Sequence, residues 1–341
     1  MQDTAQAAAP ESTQAPAGKF EAFTFGDPTP VLDSRGLLDY LECWRSGRFF
    51  EPPICLHGLS KTTRSNPYLQ SGLTFKRNML VRTFKPHRLL SRAQFSQLAL
   101  DFLTFGMGYI ERQNAVSGTA LRLTVPLAQY MRRGVVDGEF FQVRSGQVEH
   151  EFAPGSVFQL READVDQEIY GLPEWMPAVQ AALLNESATL FRRKYYTNGS
   201  HAGFIMYLSD PQVDAEDVEG LRQALKEARG PGNFRNLFLH SPGGKKDGVQ
   251  LIPVSEVAAK DEFTGIKSVT RDDMLASIRV PPQLLGIVPQ NAGGFGSIRD
   301  AALVWAAVEL QPLQARMEVI NEWLGQEVIT WADFEIASAS G

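Results

Sequence analysis

VPPQLLGIVPQNAGGFGS, residues Val280–Ser297, decides how the rest of the chain is read. It holds no charged side chain. Pro281, Pro282 and Pro289 lack a backbone donor and stop a helix, while Gly293, Gly294 and Gly296 permit positive φ. A helical pattern runs into the segment and a longer one runs out, which makes it a loop with fixed ends. A loop of about this length without structure of its own is uncommon in a compact domain and is usually functional or disordered.

The helix leading in spans Ser255–Arg279, with Ala258, Ala259, Glu262, Phe263 and Ile266 in a first half. Thr270 with Asp273 is expected to cap a second half carrying Met274, Leu275 and Ile278. One helix jointed near Ser268 and two separate helices both fit. The helix leading out, Ile298–Leu324, places Ile298, Ala301, Ala302, Trp305, Val308, Leu313, Met317, Ile320 and Leu324 on one face, and Pro312 predicts a kink.

Upstream, YGLPEWMPAVQAALLNESATLFRRKYYTNG (Tyr170–Gly199) predicts a long helix from Pro177 to Thr197 that stops at Asn198 and Gly199. Arg192, Arg193 and Lys194 suit the negative end of its dipole. Between the two helices lies a compact insert. Its expected strands are Ala202–Leu208, Asn236–His240 and Val249–Val254, around the turn SPGGKKDG, with a helix over Asp214–Arg229.

The N-terminal half reads as an α+β unit with an antiparallel sheet. A helix is expected over Asp33–Gly47 on Leu37, Leu38, Leu41 and Trp44, and another over Ser91–Gly106, capped by Ser91. Asn66–Leu80 has apolar residues too irregular to assign. GYIERQN and TALRLTVPL form two strands joined through Ser117 and Gly118, and FFQVRSGQVEHEF forms a hairpin turning at Ser145 and Gly146. Met1–Lys19, rich in Ala, Gln and Pro, is expected to be disordered. Gly325–Gly341 offers one short strand, VITWADFEI, and a small-residue tail.

At 341 residues the chain exceeds one typical domain. Its 33 basic and 39 acidic residues leave a net charge of −6, which argues against holding nucleic acid on a broad basic face but not against letting it pass. Cys43 and Cys55 show neither a CxxC nor a histidine at ligand spacing, so no zinc site or disulfide framework is expected and a reducing cytosol fits. No apolar run approaches the ~20 residues of a membrane span, and no signal peptide is seen.

Catalytic signatures are missing. GGFG before Ser297 resembles a phosphate loop in outline, but without the lysine of GxxxxGK[ST] or a preceding strand. An enzyme binding a phosphorylated ligand through Gly293–Ser297 is therefore the alternative reading. His57, His87, His150, His201 and His240 are scattered, and Asp272 and Asp273 read as ordinary helix acids, so no metal and no cofactor are expected. Arg192–Tyr196 mixes basic and aromatic residues as single-strand binders do, but a helix end with snorkelling side chains explains it.

Three runs, IYGLPEWMPAVQAALLNESATLFRRKYYTNGSHAGFIM, SVTRDDMLASIRVPPQLLGIVP and SRAQFSQLALDFLTFGMGYIE, resemble the portal proteins of tailed bacteriophages, in the PBSX-like branch of contractile-tailed temperate phages. The resemblance extends from about Phe20 to Leu324 and rests on the ordered set, above all YGLP before a long helix and the later VPPxLLG. It implies a non-enzymatic homo-oligomer, usually of twelve subunits, forming a ring at one capsid vertex of the virion, through which double-stranded DNA is packaged and ejected. On this chain it implies an N-terminal arm (1–19), a wing (20–171), a first stem helix (172–199) and a clip (200–254). A second stem helix (255–279), a tunnel loop (280–297), a kinked helix (298–324) and a reduced crown (325–341) follow.

Within the tunnel loop, Pro281, Pro282, Gln283, Leu284, Leu285, Gln290, Asn291, Gly293, Gly294 and Phe295 are the expected channel residues. In the clip, Arg235, Lys245, Lys246 and Asp247 are the expected contacts for terminase and then for head-completion and tail proteins. Major capsid and scaffold proteins are further implied partners, and no membrane is involved. The charge pattern suits this role. Duplex DNA carries about one negative charge per 1.7 Å, which fixed cations would grip and an uncharged loop leaves free to slide.

Overall fold

The computed structural model describes residue 43 and residues 45–197, 204–208, 249–253, 259–287 and 297–336. The expected N-terminal arm, the insert's helix and its strand Asn236–His240 lie outside these. So does most of the helix expected over Asp33–Gly47, but its described end is extended. β1 (Arg45–Ser46) pairs with β2 (Phe49–Phe50) across a turn where Gly47 has φ 63°. Gly47 thus turns a hairpin instead of ending a helix, and Phe49 is buried against Phe141, ring centroids 6.0 Å apart.

Caps set the next three helices. α1 (Leu56–Ser65) starts where the Gly58 N–H donates to Cys55 Sγ at 3.4 Å. α2 (Pro67–Thr83) covers the stretch left unassigned from periodicity. Asn66 Oδ1 accepts from the Tyr68 and Leu69 N–H groups, and Pro67 supplies a first residue that needs no donor. β3 (Phe84–Lys85) follows directly. α3 (Arg92–Phe105) matches the sequence reading, with Ser91 accepting from the Gln94 N–H and Gly106 in the left-handed region.

Two antiparallel sheets complete this region, where the sequence predicts one. β4 (Met107–Asn114) lies between β5 (Ala120–Thr124) and β9 (Val157–Arg161). β6 (Met131–Arg133), β7 (Phe140–Arg144) and β8 (Gln147–Glu151) form the other. The β7–β8 hairpin turns on Ser145 and Gly146, both at positive φ, the pair of angles a type I′ turn requires.

A 3₁₀ turn at Met176–Ala178 leads into α4 (Val179–Thr197). β10 (Phe204–Leu208) and β11 (Val249–Pro253) pair antiparallel, and α5 (Ala259–Ser277) returns as one continuous helix. The joint near Ser268 is not seen, and the expected Thr270 cap is corrected. Thr270 is buried in mid-helix, its hydroxyl donating to the Ile266 carbonyl at 2.7 Å and accepting from Asn185 Nδ2 at 2.7 Å. A partner helix has absorbed a side chain that would otherwise suit a helix start. α4 and α5 run antiparallel: Asn185 meets Thr270 at mid-length, and Glu174, before α4, meets Arg279, after α5.

The last long segment consists of α6 (Ile298–Trp305), a π turn (Ala306–Leu310) and α7 (Gln311–Leu324). The interruption expected at Pro312 is therefore a widened turn just before it. The register shift also corrects the apolar face, since Ile298 and Val308 are exposed while Leu310 is buried. The tail folds back onto the N-terminal half. Val328 and Ile329 are buried and β12 (Thr330–Trp331) pairs with β3. One main core joins the helices α1 to α3, the β4 sheet, the adjoining ends of α4 and α5, and α7. Among the described residues no helix is long and apolar enough to cross a membrane.

Candidate functional site

The described chemistry converges where the uncharged loop leaves α5. The YGLP run shapes one side of it. Tyr170 is buried, its hydroxyl donating to the Phe50 carbonyl at 2.5 Å and accepting from the Arg133 N–H at 3.0 Å. Gly171 admits no side chain, because a Cβ there would sit 1.9 Å from the Gly106 carbonyl oxygen. Trp175 donates its indole N–H to the Thr104 carbonyl at 3.2 Å. These contacts fix the approach to α4 against α3 and place Glu174 inward.

α5 ends in a Schellman arrangement. The Val280 N–H bonds to the Leu275 carbonyl and the Arg279 N–H to the Ala276 carbonyl, both at 3.1 Å, with Leu275 and Val280 buried. The left-handed position normally given to glycine is here Arg279, at φ 52°. Holding a non-glycine residue there costs roughly 1–2 kcal/mol. The side chain offsets that cost: its guanidinium lies 3.3 Å from both Glu174 and Glu309, while its carbonyl accepts the Trp305 indole N–H at 2.9 Å.

Around Arg279 lies a balanced network of three bases and three acids. Lys76 of α2 is buried and pairs with Glu309 of the π turn, with Glu174 at 3.8 Å. Arg316 of α7 reaches Glu174 and Glu162, both at 2.9 Å. Burial opposes the charge on Glu174, but Lys76, Arg316 and Arg279 outweigh it and hold its pKa below the ordinary value. Glu162 goes the other way, burial raising its pKa despite Arg316. Burial also works against Arg279, yet Glu174 and Glu309 keep it more firmly protonated than usual. A cavity of about 20 Å³, lined in part by Lys76, Glu162 and Glu174, adjoins the network and is large enough for one water.

The start of the loop is more ordered than its composition predicts. Pro282–Leu285 forms a 3₁₀ turn closed by Gly286 at φ 73°, and Ile287 N–H bonds to the Pro282 carbonyl at 3.1 Å. Leu284, Leu285 and Ile287 are half-buried against the main core. The structure thus gathers Pro281, Pro282, Gln283, Leu284 and Leu285 at the loop's root. Gln290, Asn291, Gly293, Gly294 and Phe295 lie outside the described residues, as do Arg235, Lys245, Lys246 and Asp247 of the insert. Ser297 caps α6, accepting from the Arg299 N–H at 3.1 Å.

Sequence reasoning missed Lys76, Glu162, Glu174, Arg279, Glu309 and Arg316. The usable signal was an arginine directly before VPP, at the position where a helix normally ends on glycine.

Residues 74–337, which hold nearly all of this architecture, match the phage portal protein family. The chain belongs to that family. A relative named "Probable portal protein" from Escherichia phage P2 is 49% identical over 318 residues, covering 93% of this chain and 92% of that one. Another of the same name, from Haemophilus phage HP1, is 34% identical over 283 residues, covering 81% of each. The fold is shared with a chain in the neck of a native gene transfer agent (GTA) particle computed with C12 symmetry, 18% identical. That match has a TM-score of 0.60 and covers 82% of this chain and 83% of that one. This portal protein therefore carries its charge network at the root of the segment on which the sequence reading turned. The phosphate-ligand alternative finds no support in the family, the relatives or the fold.

Proposed function

We propose that this portal protein is one subunit of a twelve-membered ring at a single capsid vertex, and that double-stranded DNA is packaged and ejected through the hole. In this reading α4 and α5 are the stem, residues 280–297 the tunnel loop, and residues 200–254 the clip. Arg235, Lys245, Lys246 and Asp247 of the clip meet terminase and then head-completion and tail proteins. Major capsid and scaffold proteins surround the assembled ring, which forms in the host cytoplasm before entering the virion. The chain takes the PBSX-like branch marked by its YGLP and VPPxLLG runs. Packaging energy comes from the separate terminase, and this chain contributes no catalytic group.

One observation carries the channel reading. The charges at the loop's upstream root all pair with one another, so a neutral segment leaves a neutralised base. Such a segment touches a polyanion sterically without gripping its phosphates, as a translocating duplex requires. Electron microscopy of the purified assembly tests the ring. The loop is tested by Gln290→Lys with Asn291→Lys, which is expected to stall packaging while the ring still assembles. Normal packaging by that variant would remove the loop from this role.

A further inference from the structure

α3 separates two surfaces of opposite charge. Phe102 and Leu103 line the small cavity beside the charge network, whereas Gln97, Leu100, Asp101 and Thr104 line a larger cleft. At about 100° per residue, the two sets point to nearly opposite sides of the helix.

The cleft measures about 440 Å³ and is walled by α1, α2, α3 and the 3₁₀ turn Ala128–Tyr130. That is within the ~300–1,000 Å³ that proteins use to bury a guest. Its walls come largely from residues 52–100, a stretch with eight Lys and Arg and no Asp or Glu. Arg64 and Arg77 line it, and neither pairs with an acid among the described residues. Its one acid, Asp101, is buried with both oxygens engaged, by Gln97 Nε2 at 2.8 Å and the Ala128 N–H at 3.0 Å. The cleft thus offers two guanidinium groups and an apolar rim at Leu127, 44% exposed, with no free countercharge of its own.

On the other side of α3, a loop over residues 163–168 follows Glu162, which lines the small cavity. Asp164, Asp166 and Glu168 are exposed there, and none forms an ion pair among the described residues. Val165 between them is 97% exposed, and no Lys or Arg occurs from residue 162 to residue 191. The loop is held in shape. The Asp166 N–H bonds to Asp164 Oδ1 at 2.9 Å, Arg161 donates to the Gln167 carbonyl at 3.2 Å, and the buried Gln167 side chain accepts from Cys43 Sγ at 3.0 Å. An apolar tip flanked by carboxylates complements a cleft with an apolar rim and two arginines, whose forked donors match carboxylate oxygens. Loop and cleft lie on opposite sides of one subunit, so the pair meets only between copies. A head-to-tail contact of this kind generates a ring when its rotation closes.

We infer that the 163–168 loop of one subunit docks in the α1–α3 cleft of the next, its Asp164 and Asp166 facing that copy's Arg64 and Arg77. The inference rests on the ring reading of the assembly and names one contact that closes the ring.

The test uses the full-length protein with Cys43→Ser and Cys55→Ser; a serine at 43 still has a hydroxyl to donate to Gln167. Val165→Cys and Leu127→Cys are placed on the same chain, and the assembly is treated with a short bis-maleimide and then denatured. A ladder of covalently linked subunits is expected from the double variant and none from either single variant, because in a head-to-tail contact a loop never meets a second loop. In parallel, Arg64→Glu with Arg77→Glu, and Asp164→Lys with Asp166→Lys, are each expected to lower the fraction assembled into rings more than about tenfold at fixed concentration. Combining the two sets restores opposite charges and is expected to recover most of the rings. No ladder, a link within one chain, normal assembly by either charge variant, or a combined variant no better than the separate sets overturns the contact. If Arg64→Glu with Arg77→Glu leaves assembly intact but abolishes a thermal shift produced by inorganic phosphate, the cleft belongs to a phosphorylated ligand and the contact is likewise overturned. Electron microscopy separates the two failures: a wild type without rings refutes the ring reading and the contact together, whereas rings in which positions 127 and 165 do not link refute the contact alone.

Discussion

Replacing Lys76 with methionine is expected to be the most damaging single change at the loop root. The lysine and Glu309 side chains are 2% and 4% exposed, so neither charge has solvent to fall back on. Removing one member of a buried pair costs about 3–5 kcal/mol, because the other is left uncompensated. Arg279, at 3.3 Å and half-exposed, still faces Glu309 and places the cost near the lower end, about 3 kcal/mol. For a folded unit of this size each kcal/mol moves the thermal midpoint by about 2–4 °C, giving a loss of about 6–12 °C. Glu309→Leu added to Lys76→Met removes both charges and is expected to recover most of it, since a buried ion pair and an apolar pair of similar volume are often of equal worth. Thermal melts of the wild type, both single variants and the double variant, in the same assembly state, close the cycle. A Lys76→Met midpoint within about 2 °C of wild type, or a double variant as unstable as the sum of the singles, would refute the reasoning.

Packing at the same junction is tested by Gly72→Ala in α2, whose Cβ would lie 1.8 Å from Ile278 Cδ1. The variant is expected to lose about 1–3 kcal/mol and Ile278→Val to restore part of it; no rescue in urea unfolding would mean that the two helices do not meet there. Between α4 and α5, Asn185→Leu takes from the buried Thr270 hydroxyl the amide that donates to it and should cost about 1–3 kcal/mol, seen as faster amide exchange in α4 and α5 but not in the sheets. Uniform exchange changes would speak against an independent contact between these two helices. Asp101 is buried, accepts from the Ala128 N–H and the Gln97 amide, and has its pKa raised by burial from 3.8 to about 6. An acid raised on folding destabilises above its folded pKa, and the penalty fades as pH falls through it towards the unfolded value. Relative to Asp101→Asn, the wild type should therefore gain about 1 kcal/mol between about pH 7 and pH 5. Parallel pH profiles of the two proteins would contradict this.

Local signals were legible in the sequence wherever they were sufficient. Ser91 and Gly106 bound α3 through hydrogen bonds and a left-handed residue that need no distant partner. Ser145 and Gly146 set a hairpin by their own angles. The order of long helix, insert, returning helix, neutral loop and interrupted helix was likewise readable from periodicity, Gly and Pro, and it carried the family resemblance.

Tertiary structure decided the rest. α2 looked irregular because it sends Lys76 inward to acids that arrive from beyond α3 and from the π turn. Thr270 carried the chemistry of a cap, and only the approach of α4 made it a buried mid-helix partner. Leu310 was present in the sequence, but an α period with Val308 in its place fitted as well until the π turn and the body showed which face is buried. Caps and turns are settled by bonds within a few residues, whereas charge pairing and helix register depend on groups that only folding brings within reach.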